Sequence, residues 1–163
     1  MNMTFEVISW DDYFMAMAFL SAKRSKDPIK QTGACIVNAN NRIIGIGYNG
    51  FPRNVPDDEL SWADTADDVT DTKHPYVCHA AMNAILNKNK EDLTSARMYT
   101  THFPCNECAK IIIQSGISRI IYSRSPPVNC IKSEATRKLF ALVGVSLIQF
   151  TGTTGVIELE LSS

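Results

Sequence analysis

Two hydrophobic periods alternate along this chain. Between residues 13 and 22 the apolar positions fall into two sets at helical spacing: Tyr13, Met17 and Leu20, then Phe14, Ala18 and Ala22. Ser9 stands before this run as an N-cap, and Asp11 and Asp12 suit the positive end of a helix dipole. Asp27 precedes Pro28, which disfavours helical backbone, so the helix should end near Ser25. The period then drops to two. Residues 34–38 and 42–48 read as strands joined by the tight turn Ala39-Asn40-Asn41, an antiparallel hairpin. After residue 76 helices and strands take turns: helix 78–87, strand 97–101, helix 105–115 stopped by Gly116, strand 119–123, helix 133–143 before Gly144, and strand 146–150.

A hairpin followed by strand–helix–strand units predicts a mixed five-stranded sheet, antiparallel at first and then parallel, with helices on both faces. That is an α/β three-layer sandwich. Residues 1–163 are enough for one domain with its own core. Two stretches fall outside the alternation. Residues 49–76 lack any period, carry Pro52, Pro56 and Pro75 and are rich in aspartate, which marks a functional loop or lid. In the tail, 151–163, residues 156–161 alternate like an edge strand.

Composition narrows the class without naming a function. Hydrophobic residues make up 45% and charged residues 20%, normal for a soluble globular domain. A formal charge of -1 disfavours nucleic acid as a partner. No run nears the ~20 apolar residues of a membrane helix, and residues 1–7 lack the basic-then-apolar layout of a signal peptide, so a cytoplasmic location is expected. Five cysteines (35, 78, 105, 108 and 130) do not make an even disulfide framework and read better as metal ligands plus free thiols. The acidic residues of the long segment lack the spacing of a calcium loop.

The densest chemistry lies at His79, Cys105 and Cys108. Catalytic zinc usually takes three protein ligands and keeps a fourth position for water. Two cysteines three apart at a helix start project to one side, where free N–H groups favour thiolates. Taken alone, Cys-x-x-Cys equally suits a redox pair, and a lone histidine at a helix start is commonly a cap or core residue. Jointly with Pro104, 25 positions after His79, they match the H-x-E and P-C-x-x-C signature of zinc-dependent deaminases, except that Ala81 occupies the glutamate position.

Around this motif the chain resembles the deoxycytidylate (dCMP) deaminases of the cytidine/deoxycytidylate deaminase superfamily. The matching stretches are Ser25-Lys26-Asp27-Pro28, Gly33 to Asn38, Gly45-Ile46-Gly47-Tyr48-Asn49-Gly50, Tyr76 to Ala80, Asn83-Ala84-Ile85, Met98-Tyr99 and Pro104 to Lys110. The resemblance implies hydrolysis of dCMP to dUMP and ammonia with one Zn2+ per chain. It also implies a homohexamer activated by dCTP and inhibited by dTTP, with Mg2+ accompanying a triphosphate effector. It assigns Asn49 to the sugar hydroxyl and main chain near Ala80 to the base edge, with Pro104 also among the substrate-binding residues. It puts the effector near Tyr48, Gly50, Phe51, Arg53 and Asn54. Ala81 stands at the general acid/base glutamate, so turnover should be crippled, whether by engineering or in a natural nucleotide-binding pseudoenzyme. The segment from Arg124 to Asn129 also departs from the family pattern.

For a 5′-phosphate the candidates are Lys26 and Arg124. Lys23, Arg24 and Lys30 equally suit the negative end of the first helix. His74 and His102 read as surface or satisfied residues. A nucleic-acid base deaminase and a thiol redox protein are the alternative functions, separable by single-strand binding and by metal content.

Overall fold

The computed structural model describes residues 7–153 and 155–161. The elements run α1 (Trp10–Ala22), β1 (Gly33–Val37), β2 (Ile43–Tyr48), α2 (Ala80–Leu86), β3 (Arg97–His102), α3 (Asn106–Gln114), β4 (Arg119–Arg124), α4 (Ile131–Val143) and β5 (Ser146–Gln149). The sheet order is β2-β1-β3-β4-β5. Pairs β2/β1 and β1/β3 are antiparallel, and β3/β4 and β4/β5 are parallel. The expected α/β three-layer sandwich is present.

Alternation along the strands divides the core in two. Ala34 and Ile36 of β1, Met98 of β3 and Ile120 of β4 face α2, α3 and α4, packing with Ala84, Ile112 and Phe140. Cys35, Val37, Tyr99 and Ile121 face the opposite way onto Phe14, Met15 and Ala18 of α1. The helices lie close on the sheet because glycine leaves room. A methyl added to Gly47 would sit 2.2 Å from the backbone N of Ala84, and one on Gly33 1.9 Å from the carbonyl of Ala18.

Local chemistry sets the boundaries. The Ser9 hydroxyl accepts from the Asp12 N–H at 3.0 Å, as its position predicts. The helix α1 stops three residues before Ser25, because the N–H groups of Lys23, Arg24 and Ser25 bond back to Leu20, Ser21 and Ala22. That tighter turn frees the Ser25 hydroxyl to donate to the Asn49 carbonyl at 2.8 Å. In the hairpin turn the Asn38 side chain accepts from Asn40 N and Arg42 N, and Asn41 takes φ 57. Gly116 (φ 84) and Gly144 (φ 74) close α3 and α4 in left-handed backbone, as expected of glycine after a helix.

One expected element is absent. Among the described residues of 151–161 there is no strand, and the edge strand expected at 156–161 is corrected to a tail without regular structure. Alternation alone cannot make a strand without a ladder partner and a covered face. Here Val156, Leu159 and Leu161 are exposed. Residues 154, 162 and 163 lie outside the described residues.

The segment 49–76 contains a single 3-10 turn, Val69–Asp71, and otherwise no regular structure. It is nonetheless packed. Phe51 stacks on Trp62 with ring centres 4.1 Å apart, and the indole N–H donates to the Asp57 carbonyl at 3.1 Å. Gly50 and Cys78 exchange both backbone hydrogen bonds, tying the two ends of the segment together.

Gly47→Ala is therefore expected to push α2 off β2 and lower stability by about 1–3 kcal/mol, as overpacked cores do. Urea denaturation checks it against Gly50→Ala, whose added carbon meets nothing within 4 Å.

Candidate functional site

Two helices begin with residues that do not cap them. His79 is the N-cap of α2 and Cys105 the N-cap of α3, and neither side chain makes an N-cap hydrogen bond. Both turn toward Cys108 in the first turn of α3. The Nδ1 atom of His79 lies 3.3 Å from Cys108 Sγ and 3.4 Å from Cys105 Sγ. All three ligand atoms fall within 4.8 Å of one another, and among the described residues no other such cluster occurs.

This set fits a zinc ion. Tetrahedral bonds of about 2.3 Å to sulfur and about 2.0 Å to nitrogen put N and S roughly 3.5 Å apart. The thiols also compete for a single negative charge. A hydrogen bond from Cys108, helped by His79 and opposed by burial, pulls the Cys105 thiol down to about 3. The bond to Cys105, together with burial, pushes Cys108 up. A divalent cation resolves that conflict by holding both as thiolates. The two sulfurs are not bridged to each other.

The cluster opens into a cavity of about 650 Å³. Ala80, Ala81 and Pro104 form its wall beside the ligands, and Asn49 lines it further along. Ala81 is buried and offers a methyl group. Three carboxylates also line this space, and each is engaged elsewhere. Asp27 is bonded to Lys73, Asp64 to Lys73 at 2.9 Å, and Glu107 to Lys110 at 2.6 Å. No described carboxylate stands where an acid at position 81 would.

A family model described as the cytidine and deoxycytidylate deaminase zinc-binding region matches residues 8–124. The chain belongs to the cytidine and deoxycytidylate deaminase family. It is 51% identical to the deoxycytidylate deaminase of Mus musculus and 49% to that of Homo sapiens, each over 97% of this chain and 89% of the relative. Among solved structures, the dCMP deaminase of cyanophage S-TIM5 in apo form is similar with a TM-score of 0.64 at 25% identity. The match spans 86% of this chain and 96% of that one. The same phage protein in complex with dCMP and dUMP aligns with a TM-score of 0.68 at 24% identity, over 85% and 95%, a likeness of fold.

Within this deaminase fold the remaining candidates are spread out. Lys26 is outside the cavity, paired with Asp57 on the surface. Arg124, at the end of β4, rests over the Phe19 ring and borders a second hollow of about 430 Å³. That hollow shares Asp27 and Lys30 with the first. Tyr48, Gly50, Phe51, Arg53 and Asn54 do not line the main cavity. The Tyr48 carbonyl accepts from Asn83, and Asn54 sits in a turn at φ 70.

Three cavity residues escaped the pattern reading. Asp27 and Lys73 form a buried ion pair at 2.8 Å. Burial opposes the charge on Asp27, but the bond from Lys73 and the N–H groups of Lys30 and Ile29 outweigh it and hold the carboxyl below its usual 3.8. His102, which precedes the metal loop, also lines the cavity. Burial, with Lys30 and Arg124 nearby, pulls it down to about 4, so it is neutral at pH 7. Its Nδ1 lies 3.1 Å from the Thr101 hydroxyl and 3.4 Å from that of Thr32.

Lys73→Ala should cost about 3–5 kcal/mol by leaving Asp27 buried without its partner. Lys26→Ala, at an exposed pair, should change stability by less than about 1 kcal/mol. Thermal or urea unfolding reads both. Because the Asp27 carboxyl is depressed on folding, its contribution is present above pH 3.8 and is lost as pH falls through the lower folded value. The gap between unsubstituted protein and Lys73→Ala should therefore narrow in acid.

Proposed function

We propose that this chain is a zinc-dependent dCMP deaminase fold, built to hydrolyse dCMP to dUMP and ammonia, whose turnover is crippled by Ala81. One observation carries the reading: the His79, Cys105 and Cys108 cluster opens on a nucleotide-sized cavity whose wall offers a methyl group at the glutamate position of the signature. The curated relatives at 49–51% identity bear the deoxycytidylate deaminase name, which supports dCMP as the substrate.

When bound, zinc supplies a water whose pKa is lowered to ~7. The chain's own residues do the rest. His79, Cys105 and Cys108 would hold the ion. Backbone at Ala80 and Pro104 frames the edge of the cytosine ring, and Asn49 meets a sugar hydroxyl. Lys30, which lines both hollows, and Arg124, which lines the second, add the positive charge that a 5′-phosphate needs. Lys26, tied to Asp57, is the weaker of the two phosphate candidates. Deamination also requires a proton to be carried to a ring nitrogen and then to the departing ammonia. A carboxylate at position 81 would do this; a methyl group cannot.

The regulatory part rests on the family resemblance: a homohexamer, activation by dCTP with Mg2+, inhibition by dTTP, and an effector site near residues 48–54. No helix among the described residues is long and apolar enough to cross a membrane. The intact His79, Cys105 and Cys108 set favours an engineered loss at position 81, and the alternative is a natural pseudoenzyme whose function is nucleotide binding itself. Both readings need dCMP to bind, and they part on whether the native gene encodes glutamate at position 81.

Ala81→Glu, zinc-loaded, is expected to raise dCMP turnover by ~10²–10⁴-fold, the usual contribution of one acid–base group. An ammonia-release assay checks it, and a variant as slow as the parent sinks the assignment of position 81. Metal analysis should find about one zinc per chain, and stripping it should lower the melting temperature because ligand binding stabilises the folded state. A reversible Cys105–Cys108 disulfide without zinc would favour the redox alternative instead.

A further inference from the structure

On the cavity wall lies a polar knot that the metal chemistry does not use. The side chains of Asp27 and Lys73 are 1% and 7% exposed, and Nζ lies 2.8 Å from Oδ2 and 3.0 Å from Oδ1. Pairs this deeply buried gain little net stability over apolar packing, whereas several of them fix geometry. This pair joins the loop after α1 to the end of the 49–76 segment, and between them stands Asn49.

The Asn49 amide is committed almost completely. Its Nδ2 donates to Asp27 Oδ2 at 3.1 Å and to the Lys30 carbonyl at 3.0 Å. Its Oδ1 accepts from Thr32 N–H at 2.7 Å. An amide oxygen has two lone pairs, so one acceptor position on a cavity-lining residue is left for a ligand. Turning the amide over would set its oxygen against a carboxylate and a carbonyl, and its NH₂ against an N–H. Asp27, as a pure acceptor, reinforces the orientation that the Lys30 carbonyl and the Thr32 N–H also favour. A carboxyl that took up a proton would itself become a donor facing Asn49. Asp27 also accepts from the N–H groups of Ile29 and Lys30, each at 2.9 Å, so Lys73 is its one charged partner among these contacts.

We propose that Lys73 is a positioning residue: by keeping Asp27 an acceptor, it locks Asn49 with its carbonyl oxygen offered to the cavity and so selects ligands that carry a sugar hydroxyl there. The inference rests on reading the cavity as a deoxynucleotide site. It assigns to the far end of the long segment a part in choosing the sugar, exerted through Asp27 and Asn49. Asp64, which bonds Lys73 from its exposed side at 2.9 Å, closes the outer end of the same chain of contacts.

The test compares dCMP with 2′,3′-dideoxycytidine 5′-monophosphate by calorimetry on the zinc-loaded protein, where Ala81 keeps the ligand intact. Lys73→Met should weaken dCMP about tenfold, the loss of roughly one hydrogen bond, and leave the dideoxy analogue within about twofold. Lys73→Arg should recover most of the preference, and Lys73→Met added to Asn49→Ala should change neither ligand further. If Lys73→Met does not fold, Lys73→Gln, which keeps a shorter donor, should show the same selective loss. Equal weakening of both ligands, or of neither, overturns the positioning role and leaves the functional reading standing. Failure of the unsubstituted protein to bind dCMP overturns that reading, and this inference with it.

Discussion

The site depends on two helix starts giving up their caps. An N-cap side chain ordinarily satisfies an orphan N–H of its own helix, as Ser9 does at α1. His79 and Cys105 hold the same backbone position with extended dihedrals and cap nothing. The sheet brings these two helix starts together, because β1 pairs antiparallel with β3 while β3 pairs parallel with β4. Helices α2 and α3 therefore lie on one face and share a core. From α4, the buried Thr136 hydroxyl donates to the Pro104 carbonyl at 3.1 Å, steadying the turn that carries Cys105.

What the amino-acid order revealed, and what it hid, follows from the range of each interaction. Short-range signals were legible. The period-two runs became β1 to β4, Gly116 and Gly144 ended helices, and Ser9 capped α1. Each is decided within a few residues, so the local pattern carries it. The metal cluster was legible for another reason: its three ligands belong to a recurring motif, although they span two helices. Residues 156–161 show the limit of local reasoning, since alternation describes a face and says nothing about whether a partner strand or a covering layer exists.

The polar residues around the cavity were the least readable. Lys26 and Lys73 are both lysines in loops, and neighbouring residues favoured Lys26. In the fold Lys26 meets Asp57 at the surface, while Lys73 reaches Asp27 across 46 positions and is buried. Burial of a charge is a property of packing, and no nearby residue announces it. His102, read as a surface or satisfied residue, is satisfied by Thr101 and Thr32, but its place on the cavity wall was hidden for the same reason. Its neutral state comes from enclosure and from Lys30 and Arg124, brought close by other segments.

The parallel register of β3 with β4 sets His102 directly beside Arg124. Both lie at strand ends, next to the loops that leave the sheet, and neither belongs to the metal cluster. Exchanges at this adjacent pair would retune charge and hydrogen bonding on the cavity wall at His102 and in the second hollow at Arg124, leaving His79, Cys105 and Cys108 in place. Selectivity in this architecture is thus free to drift during divergence without jeopardising reactivity.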